Sequence, residues 1–172
     1  MRQVMTACSD VDDARIGREA SPWWQSLNGK WQLKLWSSPD AVPNTAIKTD
    51  LATTTGWATV AVPGNWTVQK TGDLPHYTNV QMPWPLRPPE TPAENTTGVY
   101  RRTFTVPKHW KSRRTIIHIG AAESVHALFV NGAFVGYGTD SRLPSEYDIT
   151  DYLQAGKNTL AIFVPRYSAQ SY

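Results

Sequence analysis

Three side chains in one proline-rich segment are of the types that proteins use to recognise a sugar. Tyr77 and Trp84 offer aromatic faces that suit the C–H surfaces of a pyranose, and Asn79 offers an amide that both donates and accepts hydrogen bonds. The same composition also fits a cover over the protein core, in which the rings only pack. The residues alone leave both readings open.

The segment that carries these side chains spans residues 75–98 and is called the arm below. It holds six of the chain's 13 prolines and shows neither the period of a strand nor that of a helix. An irregular connection of more than about 15 residues inside a compact domain tends to be functional or disordered. Because prolines restrict the unfolded ensemble and favour extended backbone, an ordered arm costs less conformational entropy than its length suggests.

Hydrolysis of a glycosidic bond would require two carboxylates placed on opposite sides of that bond. No pair of carboxylates is singled out by its spacing, and we assign the candidates to turns, caps and surface pairs. The densest charged cluster, residues 140–148, is predicted to be a loop tied by Arg142 to neighbouring carboxylates. We therefore expect no catalytic residue in this chain. The candidate carboxylates are Asp73, Glu90, Glu94, Asp140, Glu146, Asp148 and Asp151.

Other kinds of chemistry find little support in the sequence. The four histidines lack metal-ligand spacing, no Ser, Cys or Thr has the surroundings of an activated nucleophile, and no glycine-rich phosphate loop is present. We expect no cofactor in this chain. The net charge of +3 includes a basic run at residues 108–114, but no nucleic-acid-binding signature accompanies it.

The compartment is predicted from the cysteine count and from hydropathy. The single Cys8 cannot form an internal disulfide, and the first 20 residues lack the apolar stretch of a secretory signal. No segment approaches the roughly 18 apolar residues of a membrane span. We expect a soluble, cytoplasmic protein that binds neither membrane nor nucleic acid.

Strand-like alternation recurs wherever apolar residues occur, and no amphipathic helix of ordinary length competes with it. Asn131-Gly132 between two such segments predicts a tight hairpin, and residues 148–158 predict one helical turn. Many short strands indicate an all-β sandwich, with a polar leader at 1–20 and a jelly roll at 21–172. The strands are predicted at 30–36, 57–62, 99–106, 114–120, 124–130, 133–138 and 158–164.

Six segments, which keep the same order over residues 20–172, carry a specific resemblance to a known family. The arm contributes "YTN" at residues 77–79, followed by the proline-rich stretch and "GVYRRTF". The chain resembles the N-terminal sugar-binding domain of β-galactosidases of glycoside hydrolase family 2. The segments are residues 26–43, 62–66, 77–85, 88–104, 130–150 and 160–172.

The resemblance implies a galactose-binding-like jelly roll that precedes an immunoglobulin-like domain and a TIM barrel carrying two catalytic glutamates. In this family the arm reaches the mouth of the barrel, and the Asn of "YTNV" helps to bind the sugar. Asn79, followed by Val80, occupies that position. An acidic segment after the "SY" corner, beyond Tyr172, contributes a further carboxylate. The sequence departs from the family at Met82 and Trp84, and in the corner at Ala169 and Gln170.

We therefore expect a non-catalytic domain of a β-galactosidase, inactive alone, that contributes Asn79, Val80, Tyr77 and Trp84 to a galactoside pocket. The resemblance implies that the full-length enzyme is a homo-oligomer that uses Mg²⁺ and Na⁺. Two alternatives stay open. The chain could be a stand-alone carbohydrate-binding module, or a structural domain that only packs against partner subunits.

Overall fold

The computed structural model describes residues 6–48, 55–77, 84–85 and 87–171. The described residues form eight strands, two short α-helices and six single 3₁₀ turns. The strands are β1 (Gly29–Trp36), β2 (Ala58–Val62), β3 (Thr97–Thr105), β4 (Ile116–Ile119), β5 (His126–Val130), β6 (Ala133–Gly138), β7 (Ser145–Asp148) and β8 (Lys157–Pro165). The helices are α1 (Val11–Ile16) and α2 (Asn44–Ile47), and the 3₁₀ turns are Arg18–Ala20, Pro39–Ala41, Trp66–Val68, Lys108–Trp110, Thr150–Tyr152 and Ala169–Ser171.

The strands form two antiparallel sheets that enclose the main core. The larger sheet has the order β2-β1-β3-β8-β5-β6, and the smaller pairs β4 with β7. Alternate residues of the strands, such as Trp31 and Leu33 in β1 and Leu160 in β8, are at most 5% exposed and meet Ile117 from the smaller sheet. The prediction of an all-β jelly-roll sandwich is confirmed, and each of the seven predicted strands is present.

β7 was not predicted, and the assignment of residues 140–148 to a loop is wrong for their second half. β7 contains Ser, Glu and Asp, and its one large apolar side chain is Tyr147. It becomes a strand because it pairs with β4, where Tyr147 lies opposite Ile117. The expected ion pair of Arg142 is with Glu123, at 3.7 Å between side chains that are 81% and 69% exposed, so it contributes little to stability.

Two local predictions are confirmed. Asn131 and Gly132 connect β5 to β6 with φ values of 51° and 80°, as a two-residue hairpin turn requires. The Asn131 amide oxygen accepts a hydrogen bond from the Thr159 backbone N–H at 2.9 Å, which ties the turn to β8. The predicted helical turn forms at Thr150–Tyr152, and hydrogen bonds from Thr150 hold the pKa of Asp148 below its ordinary value.

The two helices lie outside the main core. α2 covers the outer face of the larger sheet, where Ala46 packs with Val99 and Ala161. α1 falls within the predicted leader, and none of its residues is buried. In the described part of the chain, no helix has the length and apolar character that a membrane span requires.

His126 forms a polar link between the two sheets. Its side chain is 2% exposed, and its Nε2 atom lies 2.8 Å from the hydroxyl of Tyr147 on β7. Its Nδ1 atom has no hydrogen-bond partner among the described residues. Burial disfavours the charged imidazolium, so the pKa of His126 is lowered below the ordinary 6.5.

This burial predicts a pH-dependent stability. Because the folded-state pKa of His126 is lowered, its contribution is fully present above the unfolded-state pKa of 6.5 and is lost as the pH falls through the folded-state pKa. We expect the free energy of unfolding, measured with urea, to decrease as the pH falls below about 6.5. His126→Gln should flatten this slope, while His109→Gln, at an exposed ring, should not. An unchanged slope in His126→Gln would show that His126 does not cause this pH dependence.

Candidate functional site

Both ends of the arm lie at one end of the two central strands of the larger sheet, β3 and β8. The arm ends as β3 begins, and Thr97 of β3 pairs with Pro165, the last residue of β8. Since β3 and β8 are antiparallel, the chain that enters β3 lies beside the chain that leaves β8. The two residues that follow β8, Arg166 and Tyr167, therefore lie next to the arm.

A half-buried ion pair holds the start of the arm. Nη1 of Arg166 lies 2.7 Å and 2.8 Å from the two carboxylate oxygens of Asp73, and these side chains are 13% and 16% exposed. Nη2 of Arg166 donates to the backbone carbonyl of Leu74 at 2.8 Å. The indole N–H of Trp66 donates to the same carboxylate at 2.6 Å. The backbone directly before the arm is thus fixed to the end of β8.

A reciprocal amide contact holds the end of the arm. The side-chain amide of Asn95 donates to the backbone carbonyl of Tyr167 at 2.8 Å and accepts from its backbone N–H at 2.9 Å. The backbone N–H of Asn95 donates to the carbonyl of Ser37 at 2.8 Å. Asn95 is 2% exposed. This residue therefore fastens the arm to the segments that follow two strands of the larger sheet, β1 and β8.

The side chain of Tyr167 contacts the arm at two further points. Its ring centroid lies 4.3 Å from that of Trp84, and its hydroxyl lies 2.9 Å from Nδ1 of His76. Burial raises the pKa of Tyr167 above the ordinary 10.0, with a further contribution from the Asp73 charge and an opposing one from Arg166. The hydroxyl is therefore neutral at physiological pH and able to form this hydrogen bond.

The structure separates the predicted site residues by exposure. Tyr77 is 83% exposed, whereas Trp84 is 8% exposed and packs on Tyr167. Asn79 and Val80 lie outside the described residues. The Tyr77 side chain is accessible to a ligand, while Trp84 in this structure supports the arm. The sugar contacts assigned to these four residues stay predictions.

Sequence reasoning missed the residues that fasten the arm. The assignment of Asp73 to turns, caps and surface pairs is only partly right, because its carboxylate does form an ion pair but is only 16% exposed beside Arg166. Nothing in the residues around Asn95 marks it as a buried contact. The partners are 93 residues apart for Asp73 and 72 for Asn95, so no local spacing reveals them. One signal was available, because Arg166 directly follows an apolar strand. If that strand is central, the guanidinium lies near the core and a buried charge needs an acidic partner.

An open groove of about 660 Å³ lies beside β4, away from the arm. Trp23, Trp24 and Trp110 line it, and none of its lining residues belongs to the arm. The guanidinium of Arg113 lies 3.6 Å from the centre of the Trp23 ring, so that aromatic face is already covered. This groove is therefore separate from the site at the arm.

The described residues do not fit the metals implied for the full-length enzyme. Among them, no group of three or more His, Cys, Asp or Glu side chains is placed to hold a metal ion. The Asp73 carboxylate already accepts hydrogen bonds from Arg166 and Trp66. The use of Mg²⁺ and Na⁺ stays a prediction for the longer protein.

Comparison with known proteins agrees with this architecture. The sequence profile described as "Glycosyl hydrolases family 2, sugar binding domain" matches residues 24–172, and the chain belongs to this family. It is 44% identical to a β-galactosidase of Psychromonas ingrahamii over 159 residues, which is 92% of this chain and 15% of that protein. A β-galactosidase of Yersinia pestis bv. Antiqua is 43% identical over 164 residues, with coverages of 95% and 15%.

The solved structures give a consistent result for the fold. The structure of Bifidobacterium dentium β-glucuronidase complexed with coumarin-3-O-glucuronide matches with a TM-score of 0.61 and 25% identity, and the match covers 81% of this chain and 19% of that one. The resemblance inferred from the sequence is thereby confirmed. The chain spans about 15% of the length of the curated relatives it matches.

The ion pair at the start of the arm predicts a large stability difference between two similar substitutions. Asp73→Asn would leave the Arg166 charge without its carboxylate in a mostly buried position, and we expect a loss of about 2 to 3 kcal/mol in the free energy of unfolding. Asp12→Asn is the matched control because it removes an Asp–Arg pair whose side chains are 87% and 77% exposed, and should cost less than about 0.5 kcal/mol. Urea denaturation measures both. Equal effects would contradict the assigned role of Asp73.

Proposed function

We propose that this chain is the sugar-binding, non-catalytic N-terminal domain of a β-galactosidase, and that its arm contributes Asn79 to the galactoside pocket. The observation that carries the proposal is the attachment of the arm. Both ends are held next to the end of the central strand β8 by Asp73 and Asn95, while Tyr77 is 83% exposed. Identities of 43–44% to β-galactosidases across 92–95% of the chain support galactosides as the substrate class.

The chemistry assigned to the arm is recognition. The Asn79 amide would donate to and accept from sugar hydroxyls, with Val80 beside it, and Tyr77 would contact a C–H face of the ring. Trp84, packed on Tyr167, would support the arm from behind. Bond cleavage by the two-carboxylate retaining route belongs to glutamates on another domain of the proposed enzyme.

The wider context forms part of the same proposal. The full-length enzyme would place this domain beside a barrel, hydrolyse terminal β-galactosides such as lactose, assemble as a homo-oligomer and use Mg²⁺ and Na⁺. The single Cys8 fits a reducing cytoplasm. A carboxylate from an acidic segment after residue 172 would complete the sugar site.

A specific observation favours a second candidate, a stand-alone carbohydrate-binding module. The exposed Tyr77 ring is accessible without any other domain. A third candidate, a structural domain that only packs against partner subunits, fits the buried Trp84. Calorimetry and kinetics separate these candidates.

Calorimetry of the 172-residue chain with galactose and with lactose tests the module. We expect no binding at sub-millimolar sugar, because the chain supplies only part of the pocket. Sub-millimolar binding would instead support the module. Tyr77→Ala and Tyr137→Ala, at two exposed tyrosines, would then show whether the binding occurs at the arm: only the first should abolish it.

Kinetics of the full-length enzyme test the contribution of Asn79. Asn79→Ala should weaken galactoside binding by roughly 1 to 3 kcal/mol, because a buried sugar hydroxyl would lose its partner. Asn44→Ala, at an exposed position at the start of α2, is the control and should leave the kinetics unchanged. Unchanged kinetics in Asn79→Ala would remove the arm from the site. Altered assembly by surface substitutions would then favour the structural domain.

A further inference from the structure

We propose that Tyr167 is a positioning residue for the arm, and that it sets galactoside affinity in the longer enzyme without touching the sugar. The inference rests on the proposed function for its effect on affinity. The attachment itself rests only on contacts among described residues. Tyr167 contacts Asn95, Trp84 and His76, which lie near the end, in the middle and near the start of the arm.

The three contacts use different parts of the residue. The backbone of Tyr167 exchanges two hydrogen bonds with the Asn95 amide, its ring lies against Trp84, and its hydroxyl meets His76. Residues 76, 84 and 95 are far apart along the arm, so one residue restrains segments that proline-rich backbone alone would not bring together. Replacing Tyr167 by leucine keeps its backbone hydrogen bonds with Asn95 but removes the ring contact with Trp84 and the hydroxyl contact with His76.

The neighbouring Arg166 prevents Tyr167 from moving independently of the sheet. Its backbone N–H donates to the Thr96 carbonyl at 2.9 Å, and its guanidinium holds Asp73 and Leu74. Tyr167 is therefore placed by the register of β3 and β8 before it contacts the arm. The pairing of these two central strands therefore determines where the arm is held.

Positioning has a measurable consequence for affinity. A ligand that binds one conformation of the arm has an apparent Kd equal to the intrinsic Kd divided by the fraction of molecules in that conformation. A looser arm lowers this fraction and so raises KM. If the arm binds the sugar equally in the ground and transition states, kcat per active site is unchanged. A general loss of stability would instead reduce the amount of active enzyme.

Hydrogen exchange on the 172-residue chain tests the attachment. Tyr167→Phe removes the hydroxyl, and Tyr167→Leu also removes the ring that contacts Trp84. We expect exchange of the amides in residues 84–95 to be about threefold faster in Tyr167→Phe and about tenfold faster in Tyr167→Leu. Unchanged exchange in Tyr167→Leu would overturn the inference.

Matched controls come from a second Tyr–His hydrogen bond. Tyr147 lies 2.8 Å from His126 and contacts its ring edge-on, so Tyr147→Phe and Tyr147→Leu remove the same groups away from the arm. They should leave exchange in residues 84–95 unchanged. If they accelerate that exchange as much as the Tyr167 variants do, the effect is a general loss of stability and the inference fails.

Kinetics of the longer enzyme test the consequence. Tyr167→Phe should raise the KM for a galactoside about threefold with kcat per titrated active site unchanged. In an Asn79→Ala background it should raise KM no further, because the contact that it positions is already absent. A fall in kcat with KM unchanged would overturn the positioning role.

The outcomes also separate this inference from the proposed function. Unchanged kinetics in Asn79→Ala, with faster exchange in Tyr167→Leu, would end the proposed role of the arm and support the attachment. A raised KM in Asn79→Ala, with unchanged exchange and kinetics in the Tyr167 variants, would support the proposed function and overturn this inference.

Discussion

The start of the arm depends on the half-buried ion pair between Arg166 and Asp73. Removing two charges from water costs nearly as much as their attraction returns, so such a pair is a weak source of net stability. Its geometry is more informative. Nη1 of Arg166 donates to both carboxylate oxygens of Asp73, and Nη2 donates to the Leu74 carbonyl. The guanidinium therefore fixes both the Asp73 side chain and the adjacent backbone of Leu74. The chain therefore begins the arm in a defined direction.

The sandwich makes this contact possible because β3 and β8 are central strands paired along nine residues each. This long pairing fixes Thr97 opposite Pro165. It therefore also fixes where the chain continues beyond the pairing, at Arg166 and Tyr167. Irregular segments commonly carry binding residues while a rigid scaffold supplies their position. In this domain the scaffold supplies Arg166 and Tyr167 directly after β8 and Asn95 just before the neighbouring β3. The arm needs no regular structure of its own to be held at both ends.

The fold was largely predictable from the sequence, because half-buried strands carry their period in their own residues. Trp31 and Leu33 in β1 show this, as does the Asn131-Gly132 turn, whose conformation is set by local chemistry. β7 was not predictable, since Tyr147 alone marks its buried face and the strand depends on pairing with β4. The candidate site was predictable only as a segment. The contacts that hold the arm, Asn95 with Tyr167 and Asp73 with Arg166, join residues 72 and 93 positions apart. No pattern within a local window contains both partners.

Burial separates the two aromatic residues that the sequence treats alike. Tyr77 and Trp84 are both large rings in the arm, and composition alone leaves either one open to sugar contact or to packing. A ring can meet a ligand only through a face that the protein leaves uncovered, and Trp84 has Tyr167 within 4.3 Å and is 8% exposed. Tyr77 is 83% exposed. In the proposed enzyme, an arm that presents a polar group to another domain would need both kinds of residue, because without a buried ring it would lack an apolar contact to hold it against the sheet.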